Sequence, residues 1–177
     1  TATDTWIGSS FGGVGTVTVS SGTLDVRGDL TVGFFGTGTL TMSGGRVTVG
    51  GVLSRGAGTI NLNAGGTLQI GTGTTGGTLG VATLVNDGTL IFNRSDASTY
   101  SGVVSGSGAV VKQGAGRLTL AGANSYSGLT TISGGTLALS GSGSIGTGGL
   151  DLGTTGIFDL AAITAGTYAL PATGDLS

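Results

Sequence analysis

Residues 15–26 read GTVTVSSGTLDV, residues 38–49 read GTLTMSGGRVTV, and residues 58–70 read GTINLNAGGTLQI. Each stretch holds one phrase twice: glycine, a polar residue, an aliphatic, a polar residue, an aliphatic. Alternation at period 2 is the pattern of a strand with one buried face. It places Val17 and Val19 inward with Thr16 and Thr18 outward, and likewise Leu40 with Met42 and Ile60 with Leu62 inward. In the second copy it turns Leu24 and Val26, Val47 and Val49, and Leu68 and Ile70 inward. The first column of phrases starts at Gly15, Gly38 and Gly58, and the second at Gly22, Gly45, Gly66 and Gly88. Both columns advance by nearly the same step.

Two phrases travelling at one period are two strands of one repeating unit. A third strand completes the unit in DLTVG at 29–33, GVLSR at 51–55 and ATLV at 82–85, with Gly, Asn and Ser at the corners between strands. Three short strands per turn, with like residues stacked turn over turn, predict an all-β chain. It would be wound as a right-handed parallel β-helix of about six coils, each with three short strands. A sandwich of antiparallel hairpins is the competing fold, but hairpins do not ordinarily recur as near-identical phrases at one period. Beyond residue 88 the phrase returns at Gly116, a longer step than any before it, and then at Gly135. The period is therefore expected to lengthen there.

Composition narrows the chemistry. Gly supplies 41 of the 177 residues, Pro one, and His and Cys none. So much Gly opposes helices, since each costs about 1 kcal/mol against Ala, and collagen would need a strict Gly period with abundant Pro. Without His or Cys there is no imidazole base, no Ser-His-Asp triad and no thiolate metal site. No cofactor or metal is expected. The net charge of −2 leaves no basic surface for nucleic acid, and no apolar run is long enough for a membrane helix. The chain starts at Thr1 without Met and is expected to be a segment of something longer.

Residues 92–139 read FNRSDASTYSGVVSGSGAVVKQGAGRLTLAGANSYSGLTTISGGTLAL. This stretch resembles the autotransporter-associated β-strand repeat, also called the passenger-associated transport repeat. Its opening is matched by Gly106, Ser107, Gly108, Lys112, Gly114 and Gly116. Leu118, Thr119, Leu120, Gly122, Asn124, Tyr126 and Gly128 match its middle, and Thr130, Ile132, Gly135, Thr136 and Leu137 its end. Leu129 departs from the family, which more often has a small residue or Pro there.

The resemblance implies a passenger of a bacterial type V secreted protein, exported through periplasm and outer membrane to the cell surface. Its partner in the parent would be a C-terminal outer-membrane β-barrel, absent from this chain. The resemblance further implies a role in passenger folding and export, within an adhesin or other virulence-related surface protein that meets a host-cell surface or another passenger. One β-helix segment over 1–177 is expected, with regular coils over 1–90, the repeat over 91–140, and further coils ending in a cut end over 141–177. A cut solenoid exposes coil edges and is expected to associate end to end.

Individual residues carry further expectations. Asn124 is expected to satisfy backbone groups at a corner, using the left-handed φ that Asn tolerates. Tyr126 is expected to lay its ring on a neighbouring coil with its hydroxyl at the rim; both have a competing reading as a ligand site. Lys112, the one lysine, reads as a solvated edge charge that discourages strand pairing.

Catalytic motifs fare poorly. Gly8–Gly12 matches G-x-S-x-G without any His. The runs at 71–76 and 141–146 match G-x-G-x-x-G without a following helix to hold a phosphate. Asp25, Arg27 and Asp29 are the nearest acidic cluster, but Thr48 and Gln69 follow Asp25 in its column, so no acidic column forms; Asp25 and Arg27 read as a surface ion pair. Asp151 and Asp159 stand apart. A non-catalytic structural role is expected, the alternative being a carbohydrate-active β-helix or one that binds glycan or ice. The outward pairs Thr16/Thr18, Thr39/Thr41 and Thr59/Asn61, and the aromatics Trp6, Phe11, Phe34 and Phe35, are the residues that alternative would use.

Overall fold

The structure is a computed structural model that describes residues 3–162. The described residues form strands and turns without a helix, and every strand pairing is parallel. Coil 1 consists of β1 (Thr5–Ile7), β2 (Val14–Val19) and β3 (Thr23–Val26). Coil 2 follows with β4 (Leu30–Val32), β5 (Thr37–Met42) and β6 (Arg46–Val49), and coil 3 with β7 (Val52–Arg55), β8 (Thr59–Leu62) and β9 (Thr67–Ile70). Coil 4 holds β10 (Thr78–Leu79), β11 (Thr83–Val85) and β12 (Thr89–Asn93), and coil 5 holds β13 (Ser98–Tyr100), β14 (Val103–Ser105) and β15 (Ala109–Gln113). Coils 6 and 7 keep two strands each, β16 (Arg117–Leu120) with β17 (Thr130–Ile132), and β18 (Thr136–Ser140) with β19 (Leu150–Asp151). An eighth turn opens with β20 (Ile157–Ala162). The solenoid thus has about eight turns, not the six expected, and rises about 34 Å at the inter-strand spacing of ~4.8 Å per coil.

One wall runs unbroken through seven coils, in the order β3-β6-β9-β12-β15-β17-β19. Two ladders of inward side chains stack along it. One is Leu24, Val47, Leu68, Leu90, Val110, Thr130 and Leu150; the other is Val26, Val49, Ile70, Phe92, Lys112 and Ile132. The first wall is split into β1-β4-β7-β10 and β13-β16-β18-β20. The second runs β2-β5-β8 and then β11-β14, joined by the bridge between Leu62 and Asn86. In coils 6 and 7 its course is continued by backbone bonds from Ser125 N to Val104 O (2.9 Å), Ser127 N to Gly106 O (2.9 Å) and Thr147 N to Tyr126 O (2.9 Å).

Three expectations change. The period does not lengthen after residue 88. Along the unbroken wall the register partners run Thr67, Thr89 and Ala109 in one row, and Val110, Thr130 and Leu150 in another. The step from coil to coil therefore shortens slightly. The phrase at Gly116 lies on another wall, where β16 pairs β18 and not β12. The ATLV segment is displaced likewise: β11 pairs β14 on the second wall, and β10 takes the place expected for it. Corner Asn and Ser residues do not use left-handed φ, because every described residue with positive φ is a glycine.

The outward column from Asp25 also differs. Thr48 and Gln69 are buried, and Gln69 accepts from Arg46 and donates to Gly71 O at 2.7 Å. The ion pairs among the described residues are not Asp25 with Arg27. They are Arg94 with Asp96 at 2.8 Å and Arg117 with Asp159 at 2.6 Å, so Asp159 does not stand apart. Residues 163–177 of the segment expected over 141–177 lie outside the described residues.

The ladders place the stabilising free energy. Leu90 is fully buried between Leu68 and Val110. Leu90→Ala is expected to lower stability by about 2–5 kcal/mol, read as the shift of a urea unfolding midpoint. Thr99→Ala, on an exposed face of the same solenoid, should stay within about 0.5 kcal/mol of wild type.

Candidate functional site

The residues that carry the repeat pattern converge on coils 5 to 7. Strand β15 reads AVVKQ and turns Val110 and Lys112 to the same inward face. Lys112 therefore stands in a ladder between Phe92 and Ile132, both apolar, and is only 2% exposed. Its ammonium donates to three carbonyls at the corner after the strand: Gln113 O at 2.7 Å, Gly114 O at 3.0 Å and Gly134 O at 3.0 Å. The last belongs to the next coil. Lys112 is thus an internal clamp between coils and not the solvated edge charge expected. The register decides this, since an even offset from Val110 cannot face solvent. Burial pulls its pKa from the ordinary 10.5 to about 8, as withdrawal of a cation from water requires.

Asn124 does for the second wall what Lys112 does for the third. The chain from 121 to 129 forms no strand, and the Asn124 carboxamide supplies ladder bonds in its place. Its Oδ1 accepts from Val104 N at 2.8 Å, and its Nδ2 donates to Gly122 O at 3.1 Å and Ser144 O at 2.7 Å. One side chain thereby ties coils 5, 6 and 7. Tyr126 is fully buried, and its hydroxyl lies 2.7 Å from Thr130 Oγ1, which is buried as well. The hydroxyl is inside the solenoid and not at its rim. Thr130 occupies a ladder position filled elsewhere by Leu or Val, so the Tyr126–Thr130 pair is a polar inclusion that satisfies itself. Gly146 lies under the Tyr126 ring, in the space where a Cβ would collide with Cδ2 and Cε2.

The other pattern residues make simpler contacts. Leu118 stacks on Leu137 and Leu120 on Leu139, all buried, with Ile132 in the third-wall ladder. Thr136 N donates to Gly116 O at 3.2 Å. Gly108 and Gly128 belong to a column that runs Gly88, Gly108, Gly128, Gly148, each pressed on the backbone of its predecessor, and Gly122 sits likewise on Gly102. Gly114 and Gly135 turn corners with φ of 71° and 65°. Ser107 donates from both N and Oγ to Asp87 Oδ1 at 2.9 Å, which holds the Asp87 carboxyl below its ordinary pKa.

Sequence reasoning missed three features. Asn86 is fully buried; it donates to Ala109 O at 2.9 Å and accepts from Gly88 N at 3.2 Å. Its signal was the N-D-G corner at 86–88. Arg94 grips Asp96 with two nitrogens, at 2.9 and 2.8 Å, and also donates to Gly77 O. That last bond spans the gap where β10 and β13 fail to pair. A cleft of about 200 Å³ opens there, floored by Leu79, Phe92, Tyr100 and Leu118. Tyr100 donates to Val81 O at 3.1 Å, and burial lifts its pKa to about 12. No carboxylate lines this cleft, and no three metal-ligating side chains gather among the described residues.

Two measurements test the clamps. Lys112→Ala strips the partner from three carbonyls and Tyr126→Phe removes the hydroxyl that meets Thr130; each is expected to cost about 1–3 kcal/mol or more, read by urea unfolding. Wild-type stability is also expected to rise from about pH 8 to 10. In that window folded Lys112 has released its proton while the unfolded chain still binds one, so the burial penalty is relieved. Above pH 10 the sign reverses, because unfolded tyrosine ionises while folded Tyr100 keeps its proton to about 12. Lys112→Met should abolish the rise and keep the fall.

Residues 110–139 match a family described as passenger-associated-transport-repeat. Over 84 residues, 47% of the chain, the sequence is 42% identical to a protein described as "Adhesin BmaC autotransporter" from Brucella suis biovar 1 (strain 1330). The chain spans about 2% of that relative's length. No solved structure matches. The stretch that holds the Lys112 clamp, the Asn124 tie and the Tyr126–Thr130 pair is therefore the part of the chain that matches the passenger-associated-transport-repeat family.

Proposed function

We propose that the chain is a non-catalytic segment of a type V secreted surface protein, serving as a rigid β-helical stalk and aiding folding and export of the passenger. The regular coils over 1–90, the repeat over 91–140 and the coils after 141 would act as one stalk. Similarity to an autotransporter adhesin supports a surface location, an adhesin as the parent, and a C-terminal outer-membrane barrel as the partner in export.

The observation that carries the reading is the three-coil tie of the repeat. Asn124 bonds to Val104 and Ser144 across two coil boundaries, and Lys112 bonds to Gly134 across one. Outside the outer membrane there is no ATP, so a chain emerging there draws on its own folding free energy. A solenoid suits that, because each coil adds to the last one formed. A repeat that locks three coils in one register resists backsliding into the pore. Absence of Cys fits the same demand, since a disulfide closed in the periplasm would make a loop too wide to thread.

Two experiments in the parent protein test this. Lys112→Met with Asn124→Ala is expected to lower the passenger displayed on the cell surface several-fold at equal synthesis, measured by antibody labelling of intact cells; undiminished display would refute the export role. Thr16 and Thr39 are register partners on adjacent coils. Cysteines at both are expected to stall export under oxidising conditions, with release by a membrane-permeant reductant. Export indifferent to the reductant would count against threading as an unfolded chain.

A further inference from the structure

Among the described residues, the aromatics that are half or more exposed all stand in coils 1 and 2: Phe11 at 86%, and Trp6, Phe34 and Phe35 at 50–53%. Three form one ridge. Phe11 and Phe35 stack with centroids 4.9 Å apart at 30°, and Phe34 meets Phe35 at 4.2 Å and 58°. Burying such a ring is worth about 1.5–3 kcal/mol, so a cluster left in water marks a contact surface. The ridge sits on rigid corners. Gly33 N donates to Ile7 O at 2.7 Å, Gly36 N to Gly8 O at 2.9 Å, and Thr37 N to Gly13 O at 2.9 Å. The backbone that carries the rings is thus tied from coil to coil.

A second observation lies beside the first. The strands that leave these corners, β2 and β5, and β8 below them, present Thr16, Thr39 and Thr59 in one register row and Thr18, Thr41 and Asn61 in the next. Asn61 donates to Thr41 Oγ1 at 3.2 Å. On the other side of the corner, Trp6 heads a row with Thr31 and Ser54, whose hydroxyls meet at 2.9 Å. Residues 7–24, 30–45 and 56–86 contain no charged side chain at all. Arg55, in coil 3, donates to Thr83 Oγ1 of coil 4.

We infer that the Phe11–Phe35–Phe34 ridge and the adjoining hydroxyl face of coils 1 to 3 form a binding surface for a neutral oligosaccharide. A pyranose ring has an apolar C–H face and a rim of hydroxyls. The ridge offers the negative π-faces on which such C–H groups settle. The threonine rows and Asn61 offer paired donors and acceptors to the rim, repeated at about 4.8 Å between coils and about 7 Å along a strand. The absence of charge argues against anionic glycans, phospholipid headgroups and nucleic acid, which need cationic partners. The surface is distinct from the repeat of coils 5 to 7 and does not depend on its role in export.

The test is titration of the 177-residue chain with maltohexaose, cellohexaose, mannohexaose and chitohexaose, followed by calorimetry. At least one is expected to bind, with an affinity unchanged between low and high salt. The double variant Phe11→Ala/Phe35→Ala should weaken it about tenfold or more, and Thr39→Val/Thr41→Val several-fold. Unchanged circular dichroism and thermal midpoint confirm that both variants fold. The assignment falls if none of the four binds, or if affinity survives the loss of both phenylalanines. It falls equally if sedimentation shows a dimer that Phe11→Ala/Phe35→Ala dissolves, since the ridge would then serve a second copy of the chain. None of these outcomes bears on export, which is read in the parent protein.

Discussion

Every feature of this protein depends on one spacing. Parallel backbone bonds hold successive coils about 4.8 Å apart, so each inward side chain must fit directly on the one above. A coil has no core by itself; its aliphatics become buried only when neighbours stack on both faces. Leu68 and Leu90 are fully buried because Val47 and Val110 close the ladder around them. The glycines obey the same rule. The column Gly88, Gly108, Gly128, Gly148 lies where adjacent corners touch backbone to backbone, and a Cβ in such places would force the coils apart.

Within that ladder the repeat inserts polar groups where aliphatics would stack without penalty. Lys112 follows Phe92, and Thr130 follows Val110. An inward ammonium costs desolvation in full unless its acceptors are in place, and one of those acceptors, Gly134 O, arrives only with the next coil in its correct register. A hydrophobic ladder tolerates a slip of one repeat, because Leu on Leu resembles Leu on Val. A slip here would leave a buried cation and the Asn124 carboxamide without partners. The repeat thus exchanges some packing energy for a unique register across coils 5 to 7, where the second wall has no strand after β14.

Much of this is legible in the chain itself. Alternation in GTVTV and GTLDV places Val19 and Val26 inside, and the shared period of the two phrases implies a solenoid of parallel strands. The pattern from Gly106 to Leu137 points to the transport repeat without any coordinates. The departures have physical causes. The phrase at Gly116 resembles that at Gly88 because any strand leaving a corner needs glycine and then alternation, whichever wall it joins. Lys112 misleads by residue type, although its offset of two from Val110 already places it on the inward face. Arg94 gives no signal, since its role is to span a gap between β10 and β13 that exists only once both coils are placed.

The sequence alone determined the strands, their faces and the winding, because these follow from local alternation and from the glycine-rich corners between strands. Tertiary structure alone decided which strand stacks on which wall, that Tyr126 is interior, and that Phe11 and Phe35 from separate coils form one ridge. Those facts depend on register between segments a full coil apart along the chain, and register is set by the sum of all ladder contacts, not by any one stretch of chain.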